Sequence, residues 1–217
     1  MGRRIAYLHL GLPGSGAGFL ETALLDHAGA LATQGVDHPV HAPDEMFRAA
    51  VEIRRDHRTW GYRRRDVEGT WAEICRRVHR TRGRVLLSQE LLTTCTPDQA
   101  DLLLDTLAGV EVHAIISARR ADVERHEFTD LTTRWQRALG RRNHLQTLVV
   151  PADAEPLGWI WAELGELVGF DAGRLPLGAD TAVAAYELVA RREQQRAFAT
   201  YDEVSAAARR PRRLFAR

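Results

Sequence analysis

Residues Gly11-Leu12-Pro13-Gly14-Ser15-Gly16-Ala17-Gly18 set four glycines between an apolar run, Ile5–Leu10, and a run with helical periodicity that begins near Ala17. A glycine-rich turn between a strand and a helix points backbone N–H groups inward, and the helix N-terminus adds about half a positive charge. The chemistry this suits is the binding of a phosphate or sulfate ester. Against the phosphate-loop pattern G-x-x-x-x-G-K-S/T, Gly11 and Gly16 match. Ala17 stands where the lysine belongs, and Gly18 stands where the magnesium-binding hydroxyl belongs. A magnesium–ATP enzyme is therefore disfavoured. The plain alternative is a tight turn with no ligand.

Three further residues carry chemistry by type and position. Arg119 follows the apolar run Val110–Ser117, and a guanidinium there can grip a phosphate through its fork of donors. Its structural alternative is a surface ion pair. Glu90 closes the run Val85–Ser88 and can take a proton from an acceptor hydroxyl. Its alternative is a helix-start carboxylate or an ion pair. His9 precedes the loop and could face a reacting group, with a partly buried structural histidine as the alternative. His38 and His41 have the spacing of a metal pair but no evident third ligand, so no metal is expected. Cys75 and Cys95 fit no ligand spacing and read as reduced thiols.

The chain contains no lysine, so all 30 basic residues are arginine. Any mechanism that needs a lysine as phosphate grip, Schiff base or general base is excluded. Net charge is only +1, which gives no reason to expect nucleic acid. The arginine clusters at 63–65, 76–77, 141–142 and 209–213 read as solvated faces. No apolar run approaches the roughly 20 residues that span a bilayer, so no membrane partner is expected. The N-terminus leads straight into the first strand without the apolar stretch of a signal peptide, and a cytoplasmic location is expected.

The elements that position these residues follow from periodicity. Strands are predicted over Ile5–Leu10, Val85–Ser88, Val110–Ser117 and Leu145–Val150. Helices are predicted over Ala17–Thr33, Asp44–Arg55, Asp66–Thr81, Thr96–Leu107, Arg120–Leu139, Pro156–Val168, Thr181–Phe198 and Tyr201–Ala208. Thr96-Pro97-Asp98-Gln99 has the form of a capping box, and Gly35 and Gly169 suit helix stops. Strands alternating with helices imply an α/β fold in three layers, a central parallel sheet flanked by helices. Residues 1–208 are expected to form one domain, with 209–217 as a basic tail.

The loop also supports a more specific comparison. Leu8-His9-Leu10-Gly11-Leu12-Pro13-Gly14-Ser15-Gly16-Ala17-Gly18-Phe19-Leu20 resembles the N-terminal motif of bacterial sulfotransferases, roughly H-x-G-L-P-K-T-G-T-T-x-L-Q, a branch of the P-loop superfamily. His9, Gly11, Leu12, Pro13, Gly16 and Leu20 match, and Ser15 is conservative. Gln34-Gly35-Val36 with Pro39, Ser88-Gln89-Glu90, and Val112–Arg119 followed by Trp135-Gln136 resemble later parts of that family, over about three quarters of the chain. The resemblance implies a P-loop-type fold and transfer of a sulfuryl group from PAPS (3′-phosphoadenosine 5′-phosphosulfate) to a small-molecule acceptor. It implies that PAPS or PAP, the desulfated nucleotide, is held by Gly11, Pro13, Gly14, Ser15, Gly16, Ala17 and Gly18. Arg119 would meet the 3′-phosphate, and Glu90 and His9 would serve the acceptor side. The departures are Gly14, Ala17 and Gly18, which lack the family's side chains, and Gln89, which is not a base. They leave open a non-catalytic or repurposed protein of the same fold. Arg3, Arg4 or Arg120 could replace the lost lysine, and Gly14→Lys with Ala17→Thr is expected to raise turnover. The acceptor is not set by the sequence, and neither is the oligomeric state, with a homodimer allowed.

Overall fold

The computed structural model describes residues 4–141 and 143–208, with side chains described through residue 200. The proposed tail at 209–217 lies outside the described residues. The chain runs β1 (Ile5–Gly11), α1 (Ala17–Asp26), α2 (Ala28–Thr33), β2 (Val36–Asp37), α3 (Glu45–Arg54), α4 (Arg64–Val67), α5 (Thr70–Arg80) and β3 (Arg84–Ser88). A 3-10 turn (Glu90–Thr94) leads to α6 (Pro97–Asp105), β4 (Glu111–Arg119), α7 (Arg120–Val123), α8 (His126–Leu139), β5 (His144–Val150), α9 (Pro156–Val168) and α10 (Ala179–Ala208).

The five strands form one all-parallel sheet in the order β2-β3-β1-β4-β5. Parallel strands are buried on both faces, which is why β1, β3 and β4 read as near-continuous apolar runs. On one face, Ala6, Leu8, Leu10, Leu87, Ala114 and Ile116 pack against side chains of α3, α5, α6 and α8. On the other, Leu86, Ile115 and Leu148 pack against α1 and α9. The result is the expected three-layer α/β arrangement. Among the described residues, no helix is long and apolar enough to cross a membrane.

The predicted elements are present, with one strand added and several helix boundaries moved. β2, two residues long, was not expected; it hydrogen-bonds to β3 at the sheet's edge. The helix predicted over Ala17–Thr33 is broken at His27, and the one over Asp66–Thr81 is broken at Gly69, whose φ of +86° is left-handed. The helix over Arg120–Leu139 is broken before His126, because Arg125 is extended. That break lets Phe128, Leu131, Trp135 and Leu139 turn together onto the sheet. The capping box at Thr96 and Gln99 is formed. The two helices expected after residue 180 are one, since Ala179–Ala208 contains no glycine or proline to stop it.

This topology creates a crevice. The chain leaves β1 into α1 on one face of the sheet, and leaves β4 toward α8 on the other. Neighbouring parallel strands whose connections diverge open a gap outside their carboxyl ends, where ligands of open α/β sheets bind. The register pairs Gly11 of β1 with Ser117 of β4, so the glycine loop and Arg119 border the same gap.

Candidate functional site

The loop is fastened from below. Leu12 N–H donates to the Ser117 carbonyl at 2.8 Å, and Ser15 N–H donates to the Leu12 carbonyl at 3.1 Å. Gly14 (φ +79°) and Gly16 (φ +92°) take left-handed backbone, which folds the chain into a concave turn. Gly11 is required for a different reason: a Cβ there would fall 1.9 Å from the Ala17 Cβ. The backbone N–H groups of Gly14, Gly16, Ala17 and Gly18 have no hydrogen-bond partner among the described residues. Four unengaged donors at the start of a ten-residue helix are a geometry that can receive an anion.

Arg119 supplies the charge that the loop's own side chains do not. Its Nε–H donates to the Gly14 carbonyl at 2.6 Å. Its Nε lies 3.3 Å, and its Cζ 4.0 Å, from the point a Gly14 Cβ would occupy. The guanidinium thus lies beside Gly14 of the loop, and it arrives from the end of β4. Arg119 is exposed, so the rest of its fork is accessible to a ligand. Arg4 lies at the opposite end of the sheet, beside Glu111 and Asn143. Arg3 lies outside the described residues, and among the described residues Arg120 makes no hydrogen bond to the loop.

His9 and Ser15 sit beneath the loop, fully buried. Their hydrogen bonds form a chain with only one consistent direction. Ser15 donates its single hydroxyl proton to the Leu12 carbonyl at 2.7 Å, so at the 2.8 Å contact Ser117 must donate to Ser15. Ser117 then accepts from His9 Nε2–H at 2.8 Å, and His9 Nδ1 accepts from Ser88 at 2.8 Å. Every polar atom in the chain is satisfied with His9 neutral. Burial lowers its pKa to about 3, and a second proton would have to displace the Ser88 hydroxyl. His9 therefore ties β3, β1 and β4 together and does not line the cleft. The Ser15 hydroxyl is likewise committed to the protein, so only the backbone of Ser15 shapes the loop.

A cleft of about 410 Å³ opens beside the loop, lined by Pro13, Ala17, Gly18, Phe47, Trp60 and Glu90 among others. The Glu90 carboxylate lies 3.5 Å from the position of a Gly18 Cβ. Burial raises its pKa, and the carboxylates of Glu21 and Glu193 raise it further, against the pull of Arg192. A carboxylate held above its usual range is a stronger base. Trp60, whose buried indole N–H has no partner among the described residues, forms the apolar wall with Phe47. Arg119 thus borders the loop at Gly14, and Glu90 borders it at Gly18.

The sequence did not point to the residues that close this cleft. Arg192 of α10 donates from Nη1 to Glu21 at 2.6 Å, and from Nη2 to Asp44 at 3.1 Å. Its guanidinium also lies 4.0 Å over the Phe47 ring. Gln89 donates to the other Glu21 oxygen at 2.7 Å and accepts from Leu91 N–H. Gln89 is thus a positioning residue for Glu21. Arg192 is adjacent to Arg191 in a strongly charged helix, and local pattern does not distinguish the two.

His38 Nδ1 donates to the Leu86 carbonyl at 2.8 Å, and the His41 backbone N–H donates to Glu45. Among the described residues, these two histidines converge with no third ligand. A larger cleft of about 510 Å³ is lined by Glu52, Arg55, His57, Arg64 and Leu102, away from the loop. Two of its charged side chains are already engaged: Glu52 accepts from Gly69 and Trp71 N–H groups, and Arg64 pairs with Glu68. No family model, no curated protein and no solved structure matches the chain.

Proposed function

We propose that the crevice binds the 5′-anion of a PAPS-type nucleotide and that the chain is a sulfotransferase acting on a small-molecule acceptor. The observation that carries this reading is the pairing of four unengaged loop N–H groups with the Arg119 guanidinium on Gly14. PAPS, when bound, would supply a sulfuryl group for transfer to the acceptor, with the 5′-phosphate of PAP as the leaving group. The loop N–H groups hold the 5′-anion, and Arg119 adds the full charge needed where negative charge builds on the leaving phosphate. Glu90 takes the acceptor's proton. Phe47, Trp60 and α10 wall the cleft where that proton moves. Arg119, whose guanidinium lies against the loop, serves the 5′-side of the nucleotide and not its 3′-phosphate.

Calorimetric titration with PAP tests the reading. Micromolar binding that Arg119→Ala weakens is the expected result. No heat at millimolar PAP would overturn it. A second reading, nucleotide binding without turnover, is favoured by one observation: Gly14, Ala17 and Gly18 give the loop no charged or hydroxyl side chain of its own. PAP binding without PAPS consumption across a panel of phenol and amine acceptors would select it.

A further inference from the structure

We propose a second site, independent of the crevice: a transition-metal site formed by Glu111, His113 and His144. Glu111 and His113 are two apart on β4, so their side chains stand on one face. The parallel register places His144 of β5 directly beside His113. All three are at the amino ends of their strands, and the loop is at the carboxyl ends. The length of β4, roughly 26 Å at 3.3 Å per residue, separates Glu111 from Arg119.

The donor atoms converge. Glu111 Oε1 lies 3.0 Å from His113 Nε2 and 3.4 Å from His144 Nε2. One ligand atom from each residue falls within 4.8 Å of the other two. Bonds of about 2.0–2.1 Å at tetrahedral angles put ligand atoms about 3.3–3.4 Å apart, so two of the three edges are already close to that length. The two imidazoles lie 4.6 Å apart at 58°, so small ring rotations close the third edge. Tyr7 meets His113 edge-on at 5.1 Å and limits its ring to a narrow range of orientations.

The donor chemistry selects the ion. Two imidazole nitrogens and one carboxylate oxygen suit Zn²⁺, Co²⁺ or Ni²⁺, and do not suit Mg²⁺ or Ca²⁺, which take oxygen ligands. The Glu111 side chain is 8% exposed and that of His144 is 63% exposed. The ion is thus anchored from within and open to water or a fourth ligand on the His144 side. Bound there, it cross-links β5, an edge strand of the sheet, to β4. An ion that binds only the folded chain stabilises it by mass action. In sequence the signal was E-x-H at the start of one strand and a histidine at the start of the next, which nothing local joins. The expectation of no metal rested on His38 and His41, and those residues are elsewhere.

The test is titration of the untagged, full-length protein with Zn²⁺ at about pH 7.5, above the histidine range, and with Co²⁺ followed by its visible absorption. We expect one saturating equivalent of Zn²⁺, a Co²⁺ spectrum of low-coordinate N/O ligation, and a higher melting temperature with Zn²⁺. Loss of an outer partner of a metal ligand costs about 10- to 100-fold in affinity, so loss of a ligand should cost at least that. His144→Ala, at an exposed position that should leave folding intact, is expected to weaken Zn²⁺ at least about 10-fold, and His113→Gln likewise. His126→Ala, a remote exposed histidine, should change nothing. No stoichiometric binding, or binding undiminished by His144→Ala and His113→Gln, would overturn the proposal and leave a hydrogen-bonded histidine–glutamate cluster.

Discussion

Arg119 Nε–H donates to the Gly14 carbonyl at 2.6 Å, so the end of β4 and the turn after β1 share one cation. Arg119→Ala should weaken PAP binding by roughly 1.5–3 kcal/mol, the range for hydrogen bonds to charged groups. Because the side chain is exposed, the urea midpoint should barely move. Unchanged affinity by calorimetry would limit Arg119 to a structural role.

The same contact revises what a lysine at residue 14 would do. Gly14 has a φ of +79°, and its Cβ would lie 3.3 Å from Arg119 Nε. Gly14→Lys should therefore lose about 1–2 kcal/mol to left-handed strain and push Arg119 from its seat. Ala17 is fully buried against Gly11, so Ala17→Thr adds crowding. Lower urea stability and no gain in PAPS consumption are expected for the pair; a faster enzyme would contradict this.

Glu90→Gln removes the proposed base and keeps the shape of the cleft. PAP affinity should hold while turnover falls about 10²- to 10⁴-fold. In the parent protein, activity should fall as pH drops through a Glu90 pKa raised above the ordinary carboxylate range, because the base is then protonated. An acid limb at an ordinary carboxylate pKa, or an active Glu90→Gln, would assign the proton transfer elsewhere.

Arg192 and Glu21 form a buried pair, with side chains 9% and 7% exposed. Removing one partner of such a pair leaves an uncompensated charge and costs about 3–5 kcal/mol. Arg192→Met should show a loss of that order in urea unfolding. Adding Glu21→Gln should recover much of it, since the stranded carboxylate is gone. Independent, additive losses would mean that the two side chains are not coupled.

Two buried histidines set the response to acid. Burial lowers the pKa of His9 to about 3 and of His38 to about 4, from 6.5. The unfolded chain takes up these protons first as pH falls, so stability is full above pH 6.5 and drops below it. Each histidine removes about 1.4 kcal/mol per pH unit until its folded pKa is reached. Urea unfolding at pH 7, 6 and 5 measures the slope, and His9→Gln should flatten it. A slope unchanged by that substitution would place the acid sensitivity in other groups.

The sequence by itself determined the alternation of elements. Apolar runs such as Val85–Ser88 and Ala114–Ser117 have no polar face, so they read as strands buried inside a parallel sheet, and the glycine loop must follow its first strand. It also determined the capping at Thr96 and the glycine turn at Gly11–Gly18, because these depend on neighbours in the chain. Only the tertiary structure decided what reaches the loop. Arg119 is 105 positions from Gly14, and Arg192 is 171 from Glu21. His9 looked like a reactive group until β3 and β4 brought Ser88 and Ser117 to its two nitrogens. Glu111, His113 and His144 meet only because β4 and β5 pair in one register. A side chain's type is local, but its partners, and hence its charge state and chemistry, are set by which strands and helices pack against it.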